Sequence, residues 1–206
     1  MKLQTFTYLL LTVLIFLSCK SNDKVIEKLS DKDKKYLVTE LKEMLDIDQK
    51  YRCIVSLGTL NDSLLAIDKE LREKEAIEEY IVFTKSVENT LTEKQNDSLW
   101  GLQHQADYDN YLKFKAIVKK YGYPSKSRLD NETDIFPILL HPPIEIEPKQ
   151  YLDEMIGLLK PEVIAKRMDA KLYAMFYDNI KGKILNEPQL YGSNGVFDPE
   201  TMTIGA

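Results

Sequence analysis

The stretch "YLVTELKEMLDIDQKYRCIV", Tyr36 to Val55, carries the pattern on which the fold turns. Stepped at about 100° per residue, Leu37, Leu41, Met44, Leu45, Tyr51 and Val55 fall within an arc of about 120°, the width of a helix face that packs on a core. Between Lys34 and Lys120 there is no proline, Gly58 and Gly101 are the only glycines, and Leu, Glu and Lys dominate. Such composition favours helix over strand. Helices are therefore predicted at 33–57, 62–90 and 95–121, with caps at Asn61-Asp62-Ser63 and at Thr92, Asn96 and Asp97. Gly122 and Pro124 end the third.

Downstream, "YPSKSRLDNETD" reads as a loop. A short helix near 133–140 is stopped at His141-Pro142-Pro143, because a residue preceding proline is pushed out of the helical region. Pro148 and Pro161 suit first-turn positions of two further helices, 149–159 and 161–181. Asn194-Gly195 and the alternating apolar residues around it allow a small C-terminal hairpin. The fold class expected is mostly α, as a single helical domain over 34–206.

Upstream lies "TYLLLTVLIFLSCK", Thr7 to Lys20. Its apolar run is about half the roughly 20 residues needed to cross a bilayer. With Lys2 before it and small Ser18 before Cys19, it has the parts of a secretory signal. Leu17-Ser18-Cys19 also resembles the end of a bacterial lipobox, which implies cleavage before Cys19 and acylation of that residue. The expected division is a signal peptide over 1–18, a polar tether over 19–33 and then the domain. This places the protein in the bacterial envelope, held to a membrane through Cys19. Cys53 is then the only other thiol, so no intramolecular disulfide is expected. The formal net charge of −5, with no basic cluster, argues against nucleic acid as a partner.

Two predicted helices carry charge on faces that should be buried. Asp48 and Arg52 lie four residues apart within the apolar arc of the first, the spacing at which an acid and a base meet on a helix. On the third, His104, Asp107 and Asn110 project from the side that holds Trp100, Tyr111, Phe114, Val118 and Tyr121. Burying such groups is costly unless they are paired. Facing one another, they would form either a polar pocket with aromatic walls or a satisfied internal network.

At these residues the chain resembles a family of bacterial proteins sharing a domain of unknown function. Its landmarks are Asp-Gln-x-x-Arg, Asp-x-x-Asn leading to Gly-Trp-Pro, Gln-His-Ala-Asp, Tyr-Leu-x-Asp-Arg and Gln-x-Tyr-Gly-Thr. The matches are "DQKYR" (Asp48, Gln49, Arg52), "DYDN" (Asp107, Asn110), "GYP", "LLHPP" around His141, "MFYDN" around Asp178 and "QLYGS" with Tyr191. Tyr123 replaces the family's tryptophan, Leu140 and Pro142-Pro143 replace residues flanking His141, and Asn179 replaces its arginine. The resemblance implies one polar cluster of Asp48, Gln49, Arg52, Asp107, Asn110, His141, Asp178 and Tyr191. It implies no reaction.

The chemistry open to these residues is narrow. A metal site from His104, His141, Asp48, Asp107 and Asp178 would lack the tight local spacing that zinc ligands usually show. There is no Gly-x-Ser-x-Gly and no glycine-rich phosphate loop, and Cys53 falls on the side of its helix away from Asp48. No cofactor is expected. A binding or interaction module for a small ligand or protein is the leading expectation, and an envelope hydrolase using Asp48, Asp107 and His141 is the alternative.

Overall fold

The computed structural model describes residues 25–193, 196–198 and 203–205. The expected signal peptide over 1–18 and Cys19 lie outside the described residues, as do Asn194 and Gly195. Two long helices dominate: α1, Asp31–Leu57, and α4, Glu93–Tyr121. Each begins with reciprocal capping. Ser30 Oγ accepts from the Asp33 N–H while Asp33 accepts from the Ser30 N–H, and Thr92 and Gln95 repeat the arrangement. Each ends at a glycine with positive φ, Gly58 at 72° and Gly122 at 75°.

Cross-links between the two helices show that they run antiparallel. The Ile26 N–H donates to the Lys120 carbonyl, Asn110 Nδ2 to the Met44 carbonyl, and the Thr90 N–H to the Gly58 carbonyl. The remaining helices are α2 (Asp62–Glu73), α3 (Ile77–Ser86), α5 (Lys126–Leu129), α6 (Phe136–Leu139), α7 (Pro148–Ile164) and α8 (Ala170–Asn179), followed by a π-turn at Ile180–Ile184. Strands β1 (Val196–Asp198) and β2 (Thr203–Gly205) pair antiparallel, with Phe197 opposite Ile204. The molecule is thus a single helical domain with a minimal hairpin. Its core joins Leu37, Leu41 and Met44 of α1, Phe114 and Val118 of α4, Tyr151, Met155 and Leu159 of α7, and Phe176 and Ile180.

Several boundaries differ from those predicted. The expected helix over 62–90 is two helices that turn back on each other, because Glu75 adopts a left-handed conformation (φ 53°) and the Ala76 N–H returns to the Leu71 carbonyl. Pro161 does not open a helix. It lies in the last turn of α7, where the Ala165 N–H still reaches its carbonyl at 2.9 Å, and the break comes after it, at Lys166 (φ 59°). The loop after Gly122 contains α5, whose Arg128 guanidinium donates to the carbonyls of Tyr121, Tyr123, Ile26 and Glu27. That clamp holds part of the expected tether on the domain: Leu29 is buried and Ile26 packs against the core.

Candidate functional site

The polar group predicted between α1 and α4 is present and internally bonded. Asp107 Oδ1 accepts from Arg52 Nη2 and from Gln103 Nε2, both at 2.7 Å. Gln103 Oε1 in turn accepts from the Arg52 backbone N–H at 2.9 Å, so one amide joins both helices. Arg52 Nη2 also stands 3.8 Å from Asp48 Oδ1. Asp48 is fully buried and accepts from Gln49 Nε2 at 2.5 Å through its other oxygen. Asn110 adds a helix-to-helix link through the Met44 carbonyl, one turn before Asp48.

His141 comes from a distant part of the chain. Helix α6 and the proline pair fix it: the His141 N–H bonds to the Ile138 carbonyl, and the buried Tyr151 hydroxyl donates to the Leu139 carbonyl just before it. Its Nδ1 then lies 2.9 Å from Asp48 Oδ1. A carboxylate oxygen accepts, so Nδ1 carries the proton in this contact. Arg52 and His141 form the outer edge of the group, each with 25% of its side chain exposed, over carboxylates that are almost wholly enclosed.

Burial pushes the Asp107 carboxyl up, and the Arg52 guanidinium and the Gln103 amide only partly offset this. Arg52 Nε is buried without a hydrogen-bond partner, an arrangement that costs about 1–3 kcal/mol. The neighbouring thiol plays a different part. Cys53 Sγ contacts Gln49 Oε1 at 3.9 Å, and burial pushes its pKa up despite nearby Arg72, which keeps it a thiol.

Two of the residues grouped by the resemblance stand apart. Asp178, at the end of α8, binds its own loop: its carboxylate accepts from the backbone N–H groups of Leu190, Tyr191 and Ser193 and from Ser193 Oγ. Burial raises its pKa, but these donors outweigh it and hold the carboxyl below the usual range. Tyr191 is half exposed and packs edge-on against Tyr177. Neither residue bonds to the Asp48 group. The Gly122-Tyr123-Pro124 turn is held elsewhere as well, by the buried Glu162, which accepts from the Tyr123 N–H and pairs with Arg167. His104 stacks on Trp100, with ring centroids 5.8 Å apart, rather than joining the carboxylates.

Gln103 was not among the predicted residues, although it lies four positions before Asp107 and hence on the same helix face. Among the described residues, no group of three or more His, Cys, Asp or Glu side chains is arranged to hold a metal ion, and no helix is long and apolar enough to cross a membrane. A groove of about 560 Å³ lies between the N-terminal half of α1 and the C-terminal half of α4, walled by Tyr36, Ile117 and Tyr121 and edged by lysines and acids. It does not include the Asp48 group. No family model, no curated protein and no solved structure matches the chain.

Proposed function

We propose that the chain is a lipid-anchored protein of the bacterial envelope whose helical domain serves as a binding or interaction module. The observation carrying this reading is the contrast between a hydrogen-bonded, mostly enclosed polar group and an apolar surface left open on helices α2 and α3. A hydrolase needs its acid, base and nucleophile to meet a substrate in a concave site. Here Asp48 and Asp107 are occupied by Gln49, Arg52, Gln103 and His141. The lipobox-like Leu17-Ser18-Cys19 supports the anchor, and the seven steps of chain from Cys19 to Ile26 can span at most about 25 Å.

A photo-crosslinking residue placed at Val82 on α3, and another at Tyr36 in the groove, tests this in intact cells. A discrete adduct that persists in His141→Ala and requires Cys19 is the expected result. Absence of any adduct from either position would count against an interaction module, and release of the protein from membranes in Cys19→Ala is the separate test of the anchor.

One observation favours a second reading, the envelope hydrolase. Among the described residues, nothing hydrogen-bonds to His141 Nε2 on its partly exposed ring while Asp48 holds Nδ1, the arrangement in which a carboxylate orients an imidazole as a base. Among the described residues, no serine or thiol is hydrogen-bonded to that ring. Water would have to be the nucleophile, and ester or amide hydrolysis by the purified chain that disappears in both His141→Ala and Asp48→Asn would replace the first reading.

A further inference from the structure

Helices α2 and α3 form an arm that leaves the domain at Gly58 and returns at Thr90. Its base is a clasp in which the Thr90 N–H donates to the Gly58 carbonyl at 2.8 Å and the Thr90 hydroxyl lies 3.4 Å from that of Thr59. Within α2, the buried Asp68 accepts from the partly exposed guanidinium of Arg72. Beyond these contacts the arm is unusual in that α3 fully buries no side chain, although half of its sequence IEEYIVFTKS is apolar. Ile77 is 70% exposed and Val82 71%, and Ile81 is also exposed. A ten-residue helix of this kind normally gains its stability from packing, and apolar residues grouped in the open mark an interaction surface.

The charges around this surface narrow what can cover it. Lys69, Arg72 and Lys74 of the arm are paired with Glu73, Asp68 and Glu70. Among the described residues, Glu75, Glu78 and Glu79 have no ion pair and flank Ile77 on both sides in sequence, and Lys85 in the last turn of α3 is the one exposed cation of the arm without an ion pair. Between Gly58 and Thr90 the arm carries eight acidic and four basic residues, so a second copy docking the same face would bring two negatively charged arms together. An anionic bilayer is repelled for the same reason. Between the two helices a cleft of about 270 Å³ is lined by Leu71, Ala76, Ile77 and Tyr80, with Arg72 and Glu75 beside them. Its size and lining suit an aliphatic side chain from a partner.

We infer that the arm docks an amphipathic helix of a partner protein whose apolar residues are interspersed with lysine or arginine. The apolar side chains cover Ile77, Ile81 and Val82, and the cations pair with Glu75, Glu78 and Glu79. This rests on the interaction-module reading and adds the surface and the chemistry of the partner.

The test uses the full chain in zwitterionic nanodiscs and a labelled helical peptide of leucine and lysine, with empty nanodiscs as the blank. A leucine–glutamate peptide of the same length is the comparison. Saturable binding is expected for the lysine peptide, at least tenfold weaker in Ile77→Ser/Val82→Ser, with preference passing to the glutamate peptide in Glu78→Lys/Glu79→Lys. All four positions are exposed helix sites, and circular dichroism checks that the variants fold. Equal binding of both peptides, or lysine-peptide binding unchanged by either double variant, overturns the inference. So does self-association of the chain that Ile77→Ser abolishes, which would make the occupant a second copy. Binding to phosphatidylglycerol vesicles that the same substitution abolishes would make it a membrane. If no peptide binds while crosslinks form in cells from Tyr36, the arm is not the docking surface and the broader reading still stands.

Discussion

Helix α4 buries ten side chains, among them Asp107, Asn110 and Gln103, whereas α3 buries none, although its residues are the more apolar of the two sets. The two regions invert the usual relation between polarity and burial. In the body, charge on the inner face is tolerated because each carboxylate finds donors, and the paired groups set the register of α1 against α4. In the arm, apolar side chains of α3 remain in solvent because the ties to the body lie at the clasp and along α2, where Arg72 reaches Cys53 of α1. Burial therefore does not follow polarity here. The polar group is enclosed and internally bonded, and the exposed face of α3 carries apolar side chains.

The widest test of that contrast is Arg52→Ala. It would leave Asp107 buried with only Gln103 and remove the cation nearest Asp48, so a loss of about 2–4 kcal/mol is expected in a urea titration of the folded chain. A change below about 0.5 kcal/mol, ordinary for an exposed site, would mean that the carboxylates do not depend on their pairing, and the body would cease to differ from the arm.

The clasp comes next in size. Gly58 has φ 72°, and a Cβ there would approach the Asn89 side chain to 2.7 Å. Gly58→Ala should cost about 1–3 kcal/mol through backbone strain and displacement of the returning chain. If the arm is held chiefly by this clasp, amide exchange in α3 should accelerate more than in α4. Uniform acceleration would show the arm and the body to be one cooperative unit.

How far each region could be read from sequence follows the range of the interactions. The long helices and the polar residues on their inner faces were legible because periodicity is local. Asp48, Arg52 and Asp107 stood out as charges within apolar arcs. The break at Glu75 had no proline or glycine to announce it, and Pro161 pointed to a helix start because proline is tolerated in a first turn, yet α7 runs through it. The Asp48–His141 contact joins residues 93 positions apart, which no helical period reports. Asp178 and Tyr191 followed the other motifs in order along the chain, but order does not encode proximity, and their bonds turned out to be confined to one local loop. Gln103 was missed because a neutral amide on a buried face attracts less notice than a charge.

Within the body, acid titration acts with opposite sign on two carboxylates. In the body, Glu154 is held down to about 2 by donation from Lys115, Tyr111 and Gln150. Its folded pKa lies below the unfolded value, so its stabilisation is present above about pH 4.5 and fades as the pH falls towards 2. Asp107 runs the other way, since burial raises its pKa and the folded state holds its proton more tightly. Stability measured across this window should fall on acidification, and Glu154→Gln should flatten that fall. An unchanged acid limb in the variant would show that the Lys115–Glu154 contact is not maintained in solution.

The smallest effect expected is the one that most sharply defines the arm. Val82→Ser removes an aliphatic side chain, and in a core position a comparable truncation costs a few kcal/mol, as Leu41→Ala at a fully buried site of α1 should, at about 2–5 kcal/mol. With 71% of Val82 in solvent there is little buried surface to lose and no cavity to create. Serine also differs little from valine in helix propensity. The change in unfolding free energy should therefore stay within about 0.5 kcal/mol. A loss above about 1.5 kcal/mol would mean that Val82 is packed in solution, either on the body or against another chain. Repeating the measurement over a hundredfold range of protein concentration distinguishes the two, because only packing between chains makes the loss depend on concentration.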